Sequence, residues 1–427
     1  MSRTGRMLLA VVVLLALVVG VAMWYGARES HQGAGAAAAD FSDPGLIERG
    51  RYLAQVGNCM GCHTAPGGAP YSGGRAIPTP YGTFFGPNIT PHATTGIGNW
   101  TADDFWRALH DGKAPDGTLL YPVFPYPTYT NVSREDADAL YAYLKSLPPI
   151  DRPNREHEVA FPYNQRWLLS LWRAVHFRPG PLDPVPDQSE QWIRGRYLVE
   201  GLAHCAECHT PRTRWGGLDR SKHLQGGIIP GQDWYATPLT GDPVTGLGEW
   251  SADDIASLLK SGLSTRSHAT GPMAESVYWG YQHLTDGDTE AIAAYLKSLP
   301  AADLESRGRQ GTQAGASVLE LGRQVYEQHC AQCHRADGRG EPGAWPPLAG
   351  NPSVVADSPI NAVRVVLDGG FAPATTGNPQ PHGMPPYRHV LNDAQVAAVV
   401  SYIRSAWGNR TGAVSLPEAR RIREDSR

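Results

Sequence analysis

Cys59-Met60-Gly61-Cys62-His63, Cys205-Ala206-Glu207-Cys208-His209 and Cys330-Ala331-Gln332-Cys333-His334 are one five-residue pattern written three times, and they use all six cysteines of the chain. Two thiols two residues apart on one turn can form thioethers to the two vinyl groups of a single porphyrin. The imidazole that follows then lies under the iron. The pattern is read as covalent c-type haem attachment at three places, through Cys59, Cys62, Cys205, Cys208, Cys330 and Cys333, with His63, His209 and His334 as proximal iron ligands. A zinc site or a redox dithiol also uses Cys-x-x-Cys pairs, but neither requires His directly after the second Cys. With 15 His in 427 residues, three such neighbours arise by chance with odds of about 10⁻⁵ to 10⁻⁴. No cysteine remains for a disulfide.

The similarity between the three regions runs well past the motif. Glu48-Arg49-Gly50-Arg51-Tyr52-Leu53 recurs as Ile193-Arg194-Gly195-Arg196-Tyr197-Leu198, and more weakly as Leu321-Gly322-Arg323. Gly98-Asn99-Trp100-Thr101 and Ala142-Tyr143-Leu144-Lys145-Ser146-Leu147-Pro148 recur as Gly248-Glu249-Trp250-Ser251 and Ala294-Tyr295-Leu296-Lys297-Ser298-Leu299-Pro300. Each unit is expected to carry an opening helix before the motif, a middle helix, and a closing helix. Asp43-Pro44 is an N-cap followed by proline at the first helical position. Thr101-x-x-Asp104, Ser251-x-x-Asp254 and Ser358-Pro359 start the middle helices, and Gly112, Gly262 and Gly369 stop them. Ser133-x-x-Asp136, Thr285-x-x-Asp288 and Asn392-x-x-Gln395 read as capping boxes of the closing helices. Their apolar faces are Leu140/Tyr143/Leu144/Leu147, Ile292/Tyr295/Leu296/Leu299 and Val396/Val400/Ile403/Trp407. Helices this short are marginal alone, so they are expected to pack around the porphyrins.

Gly and Pro number 48 and 36, too many for a chain of regular elements alone, so long loops are expected. Apolar residues at 41% rule out a wholly disordered chain, and a net charge of -4 gives no footprint for nucleic acid. Met7 to Trp24 is an almost unbroken apolar run behind Arg3 and Arg6, which reads as a secretory signal peptide or a membrane anchor. Small residues from Ala34 to Ala39 offer cleavage sites. Either outcome places the rest of the chain on the periplasmic side of a bacterial inner membrane. The expected division is 1–39 signal or anchor, 40–150 first unit, 151–188 connector, 189–302 second unit, 303–316 linker, 317–409 third unit and 410–427 a charged tail, read as a solvated end.

A six-coordinate haem of this type takes Met or His on the far side of the iron. Beyond the N-terminal run there are three Met: Met60, Met273 and Met384. Met60 lies inside its own attachment motif. Met273 and Met384 stand in Pro-flanked loops 64 and 50 residues after His209 and His334, and are read as the sixth ligands of the second and third haems. The equivalent place in the first unit holds Phe124, which cannot bind iron. An open or water-bound iron is the leading reading there, with His92, His110 and Tyr126 as replacements. His110 is taken as a surface residue. Arg75, Asn88, Trp100 and Trp250 are candidate contacts for propionates or haem edges.

The chain resembles the three-haem cytochrome c subunit of membrane-bound bacterial alcohol, gluconate and sugar dehydrogenases, and of related molybdenum aldehyde dehydrogenases. The resemblance rests on Arg51-Tyr52-Leu53, Pro87-Asn88-Ile89-Thr90-Pro91, Gly96-Ile97-Gly98, Leu120-Tyr121-Pro122 leading to Pro125-Tyr126, the paired Tyr-Leu-Lys-Ser-Leu-Pro endings, and Ile403 through Asn409. It implies a mainly α fold of three consecutive class I-like cytochrome c domains with long Gly/Pro-rich loops. It also implies an electron carrier between a catalytic partner (a flavin, quinone-cofactor or molybdenum dehydrogenase) and ubiquinone or a terminal oxidase. The family pattern has Met where this chain has Phe124. A haem peroxidase or gas-binding protein using an open first iron is the alternative. No dinucleotide fingerprint or nucleophile–base pair points to a dehydrogenase site within the chain itself.

Overall fold

The computed structural model describes residues 2–28, 39–302 and 312–426. The small-residue stretch at 34–38 and most of the expected linker lie outside them. Three copies of one helical triad follow one another. The opening, middle and closing helices are Pro44–Val56, Ala102–Asp111 and Arg134–Ser146 in the first unit. In the second they are Glu190–Tyr197, Ala252–Ser261 and Asp286–Ser298, with the opening helix running on as a π-turn over Leu198–Leu202. In the third they are Ala316–His329, Ile360–Asp368 and Asp393–Ile403. A short antiparallel hairpin accompanies each: Ala76–Thr79 with Gly82–Phe85, Gly227–Ile229 with Trp234–Ala236, and Gly370–Phe371 with Gly383–Met384.

The local signals place most helix ends. Asp43 caps the first helix, and Thr101/Asp104, Ser251/Asp254 and Asn392/Gln395 form reciprocal capping boxes. Gly112 and Gly262 end their helices in the left-handed region, at φ 61° and 78°, where a Cβ is costly. The third middle helix starts at Ile360, with Pro359 at the N-cap place and Ser358 Oγ accepting from the Ile360 N–H at 3.4 Å. One reading needs correction. Trp407 lies beyond the closing helix, and its indole packs back on Tyr326 with ring centroids 4.9 Å apart while Nε1–H donates to the Ala336 carbonyl.

In each unit the opening and closing helices cross where a glycine meets a carbonyl. A Cβ on Gly50 would sit 1.9 Å from the Ala139 oxygen; on Gly195, 1.8 Å from that of Ala291; on Gly322, 2.2 Å from that of Ala398. A tyrosine four residues after each alanine (Tyr143, Tyr295, Tyr402) flanks the crossing. Absence of a side chain lets the two backbones touch, and this explains the Gly shared by all three repeats.

The first two units share one apolar core, in which Leu53, Leu140 and Leu144 join Leu198, Leu202, Ile292 and Leu296. The third has its own, built on Tyr326, Leu367, Val396 and Val400. The joint between the first two is reciprocal. The hydroxyls of Ser133 and Thr285 cap their helices as expected, accepting from the N–H of Asp136 and Asp288. The carboxylates do not complete the boxes. Instead Tyr197 of the second unit accepts from the Ser133 N–H at 3.1 Å and donates to Asp136 at 2.6 Å. Tyr52 of the first unit accepts from the Thr285 N–H and donates to Asp288 at 2.5 Å. Arg49 and Arg194 hold the same two carboxylates from within their own units. Burial pushes the Asp288 carboxyl upward, but the hydrogen bonds from Arg194 and Tyr52 outweigh it, and the group lies below its ordinary value. Tyr52→Phe is expected to cost about 1.5 kcal/mol, because Asp288 loses a donor and the Thr285 N–H an acceptor. Denaturant titration of the purified protein checks it.

The third unit meets the second through a paired side chain. Asn361 donates to the Tyr235 carbonyl and accepts from its N–H, while Arg364 reaches the Gln232 and Asp233 carbonyls and stacks on Trp234. The tail is not a solvated end. Residues Leu416–Asp425 form a helix that buries Ala419 and Ile422 in the third core. Arg423 on that helix is held by Asp393 at 2.6 Å and by the Leu391 carbonyl. Ending the chain at Gly412 removes buried Val414, Ala419 and Ile422 and is expected to destabilise the third unit by about 3 kcal/mol, read as a lower unfolding temperature.

Candidate haem-attachment sites

Each Cys-x-x-Cys-His pattern is a single helical turn: Cys59–His63, Ala206–His209 and Ala331–His334. The imidazoles are oriented alike. Nδ1 lies 2.8 Å from the Pro87 carbonyl in His63, 2.6 Å from that of Thr237 in His209, and 3.0 Å from that of Pro346 in His334. A carbonyl only accepts, so Nδ1 carries the proton and Nε2 keeps its lone pair for a metal. A loop must pass close over the turn to deliver that carbonyl. In the first unit it does so at Gly86, where a Cβ would fall 1.9 Å from the Cys62 oxygen. Buried Thr64 and Thr210, next after the motif histidines His63 and His209, accept from the N–H of Tyr71 and Leu224 and tie down the chain that leaves the turn. The repeated His-Thr pair was visible in the sequence, but nothing local marks it as a tether.

The thiols are not activated as those of a redox dithiol are. Burial pushes those of Cys59, Cys205 and Cys330 up to about 12, whereas a redox dithiol needs a depressed value. Among the described residues no group of three or more His, Cys, Asp or Glu side chains converges into a cage for a metal ion. The side chains present therefore fit a porphyrin held by two thioethers and one imidazole.

On the expected far side, Met273 stands in the first turn of the helix Gly271–Trp279, half-buried against the shared core. Met384 stands on the short strand Gly383–Met384 against the third core, which includes Cys330. The first unit is built differently. Tyr129 and Tyr281 are equivalent, since each donates to a carbonyl just before an attachment motif, Gly57 and Ala203 respectively. Before Tyr281 runs the Met273 helix; before Tyr129 runs a Pro-rich turn that presents Phe124 to the shared core, its ring 5.6 Å from that of Tyr129. His110 is buried, not on the surface, and stacks on Trp106 at 4.5 Å. Tyr126 is packed under Gly112 and edge-on to Phe177 at 5.2 Å, and His92 is engaged by Thr95. Of the candidate propionate donors, Arg75 pairs with Glu275 at 2.8 Å and Asn88 donates to the Ile150 carbonyl at 2.8 Å. Trp250 is buried and Trp100 packs on the edge of the shared core.

The attachment turns also meet neighbouring units. Glu207, between Cys205 and Cys208, accepts from Thr128 of the first unit at 2.6 Å. The Met273 helix of the second unit packs on the Cys59–His63 turn of the first. Cys62 and Cys208 lie close enough for the charge of one to act on the other. His268, five residues before Met273, is similarly near His334 of the third unit.

Three turns that each offer two thiols and one oriented imidazole define a protein that carries covalent haem. The comparison with known proteins agrees: the family model for cytochrome c matches residues 47–148, 194–300 and 319–407. The chain belongs to the cytochrome c family, whose domains bind haem c covalently. It is 40% identical over 403 residues to the alcohol dehydrogenase (quinone) cytochrome c subunit of Gluconacetobacter polyoxogenes, covering 90% of this chain and 85% of that one. It is 39% identical over 407 residues to the gluconate 2-dehydrogenase cytochrome c subunit of Pantoea cypripedii, covering 91% and 92%. The fructose dehydrogenase cytochrome subunit of Gluconobacter japonicus is 35% identical over 404 residues, covering 88% of this chain and 82% of that one.

Proposed function

We propose that the chain carries three haems c, one in each of the units 40–150, 189–302 and 317–409, and relays electrons from a catalytic dehydrogenase subunit to ubiquinone or a terminal oxidase at the periplasmic face of the inner membrane. The observation that carries the reading is the packing of attachment turns against neighbouring units. The Met273 helix of the second unit packs on the Cys59–His63 turn of the first, Glu207 of the second attachment turn accepts from Thr128 of the first, and Ser267 of the second unit donates to Asn351 of the third.

A bound c-type haem supplies a one-electron iron couple. The chain's own residues set the conditions. His63, His209 and His334 hold their imidazoles in one tautomer through a backbone carbonyl, which raises the basicity of Nε2. Met273 and Met384 supply thioethers in the second and third units, and thioether ligation raises the potential. Phe124 supplies an apolar ring and no donor, so the first unit is expected to be the least oxidising. An apolar distal face also gives no proton donor for O–O cleavage, which disfavours peroxidase chemistry.

A pyridine haemochrome assay is expected to give three haems per chain. Redox titration is expected to resolve one wave of lower potential from two higher ones. Fewer than three haems, or three coincident high-potential waves, would overturn the assignment. The relatives serve dehydrogenases of different substrates, because one electron-carrying fold can be paired with many catalytic partners.

A further inference from the structure

The helix Arg3–Ala27 is long and apolar: its 18-residue apolar window has a mean hydropathy of 2.9 and is 0% buried by the rest of the protein. At about 1.5 Å per residue it spans about 37 Å, enough for a hydrocarbon core of about 30 Å. A signal peptide would pass these tests as well. What distinguishes this helix is its foot. A Cβ on Gly26 would lie 1.8 Å from the Ser170 carbonyl oxygen, so the helix sits backbone to backbone on the connector helix Leu168–His176. Its last carbonyls meet two cations. Arg173, 1% exposed, donates from Nε to the Gly26 oxygen at 2.6 Å and from Nη1 to the Asp111 oxygen. Lys113 donates to the Ala27 oxygen at 2.6 Å. Cations at a helix C-terminus complement its dipole, and a buried guanidinium stripped of an acceptor is costly. The folded body is built to receive this helix end.

The connector helix has four faces, and three are taken. Leu169 and Arg173 face the interior, and Ser170 and Ala174 face the foot. On the far side Trp172 donates to the Trp215 carbonyl at 2.9 Å, and His176 abuts Gly217. The remaining face, between the foot and Trp172, carries Trp167, Leu171 and Val175 at i, i+4 and i+8. Trp167 is 53% exposed and Val175 73%, and Trp215 beyond them is 58% exposed. This apolar stripe therefore begins at the point where a lipid-length helix leaves the protein. Tryptophan favours the headgroup level. Arg3 and Arg6 at the other end set that end on the cytoplasmic side, which puts the foot and the haem units across the membrane.

We propose that the helix is retained in the mature protein as a membrane-spanning anchor, and that Trp167, Leu171 and Val175 beside its foot rest in the lipid headgroup layer. This deepens the membrane-associated placement proposed above and rests on it.

The test uses the full chain, matured with haem and extracted from membranes. Intact mass is expected to include residues through the N-terminal helix; a mature N-terminus near Ala39 would overturn retention. For the stripe, Val175→Cys and, as a control on the exposed loop of the third unit, Arg339→Cys are labelled with a fluorophore. Both are reconstituted in phosphatidylcholine/phosphatidylglycerol vesicles holding a headgroup spin-labelled lipid. Quenching at position 175 is expected to be several-fold stronger than at 339. Equal quenching at the two positions would overturn the lipid contact. Haem content and reducibility, read on the same samples, separate this outcome from failure of the electron-transfer reading.

Discussion

Gly50→Ala is expected to destabilise the protein, against the sign that helix propensity gives. Gly50 lies inside the helix Pro44–Val56, and alanine there would ordinarily gain about 1 kcal/mol. The helix crossing reverses this. The new methyl would fall 1.9 Å from the Ala139 oxygen and 2.8 Å from the Tyr143 Cβ, far inside contact distance. Backbone cannot swing aside as a flexible side chain can, so the helices must part by more than an ångström, and the loss spreads into the core shared with the second unit. Overpacking of this kind costs about 1–3 kcal/mol, sometimes more. The net expectation is a loss of about 2 kcal/mol, or a fall of about 6 °C in unfolding temperature for a body of this size. Gly287→Ala is the control. It sits near the start of the second unit's closing helix with nothing within 4 Å of its Cβ, and is expected to be neutral or to gain about 0.5 kcal/mol. If both substitutions stabilise, the close crossing is wrong.

Met384→Leu and Phe124→Met are expected to move the iron spin state in opposite directions. Leucine keeps the volume of Met384 but has no lone pair, so the third haem would lose its sixth ligand and become high-spin, with a lower potential. Leu for Met is a mild packing change, at less than about 1.5 kcal/mol, so the fold should survive. Phe124→Met places a thioether where the first unit has a ring. The electron paramagnetic resonance spectrum of the oxidised wild type is expected to contain one high-spin haem of three. Met384→Leu should make it two, and Phe124→Met none. A wild-type spectrum with only low-spin signals would mean that another side chain binds the first iron, and would redirect attention to buried His110.

Features that depend on one element and its neighbours in sequence were legible. The attachment turns, the middle-helix caps, the Gly stops and the three-fold repetition were all read from spacing, and the structure gives the three motif imidazoles one common orientation. What escaped depends on partners far along the chain. The carboxylates of Asp136 and Asp288 carry the right spacing for capping boxes, yet tyrosines from the other unit take that place. No local rule ranks a hydroxyl more than 230 residues away in sequence, such as Tyr52 for Asp288, against one's own N-cap. The tail misled for a related reason. Its arginines read as solvated, but Asp393 and the free carbonyls at the edge of the third core give Arg423 partners, and Ala419 and Ile422 were too sparse to signal a buried face. The repeated glycines were noticed as a pattern, but their physical cause, two touching backbones, exists only in three dimensions.

The exchange of tyrosines between Asp136 and Asp288 has a consequence for how such a chain can change over time. Each of the first two units finishes the other, so a cut near Ile150 would leave two incomplete halves. The third keeps its own interior and meets the second through polar contacts of Asn361, Asn351 and Thr375. Gene duplication or fusion can therefore add, remove or trade the third as a cassette, whereas the first pair must travel together.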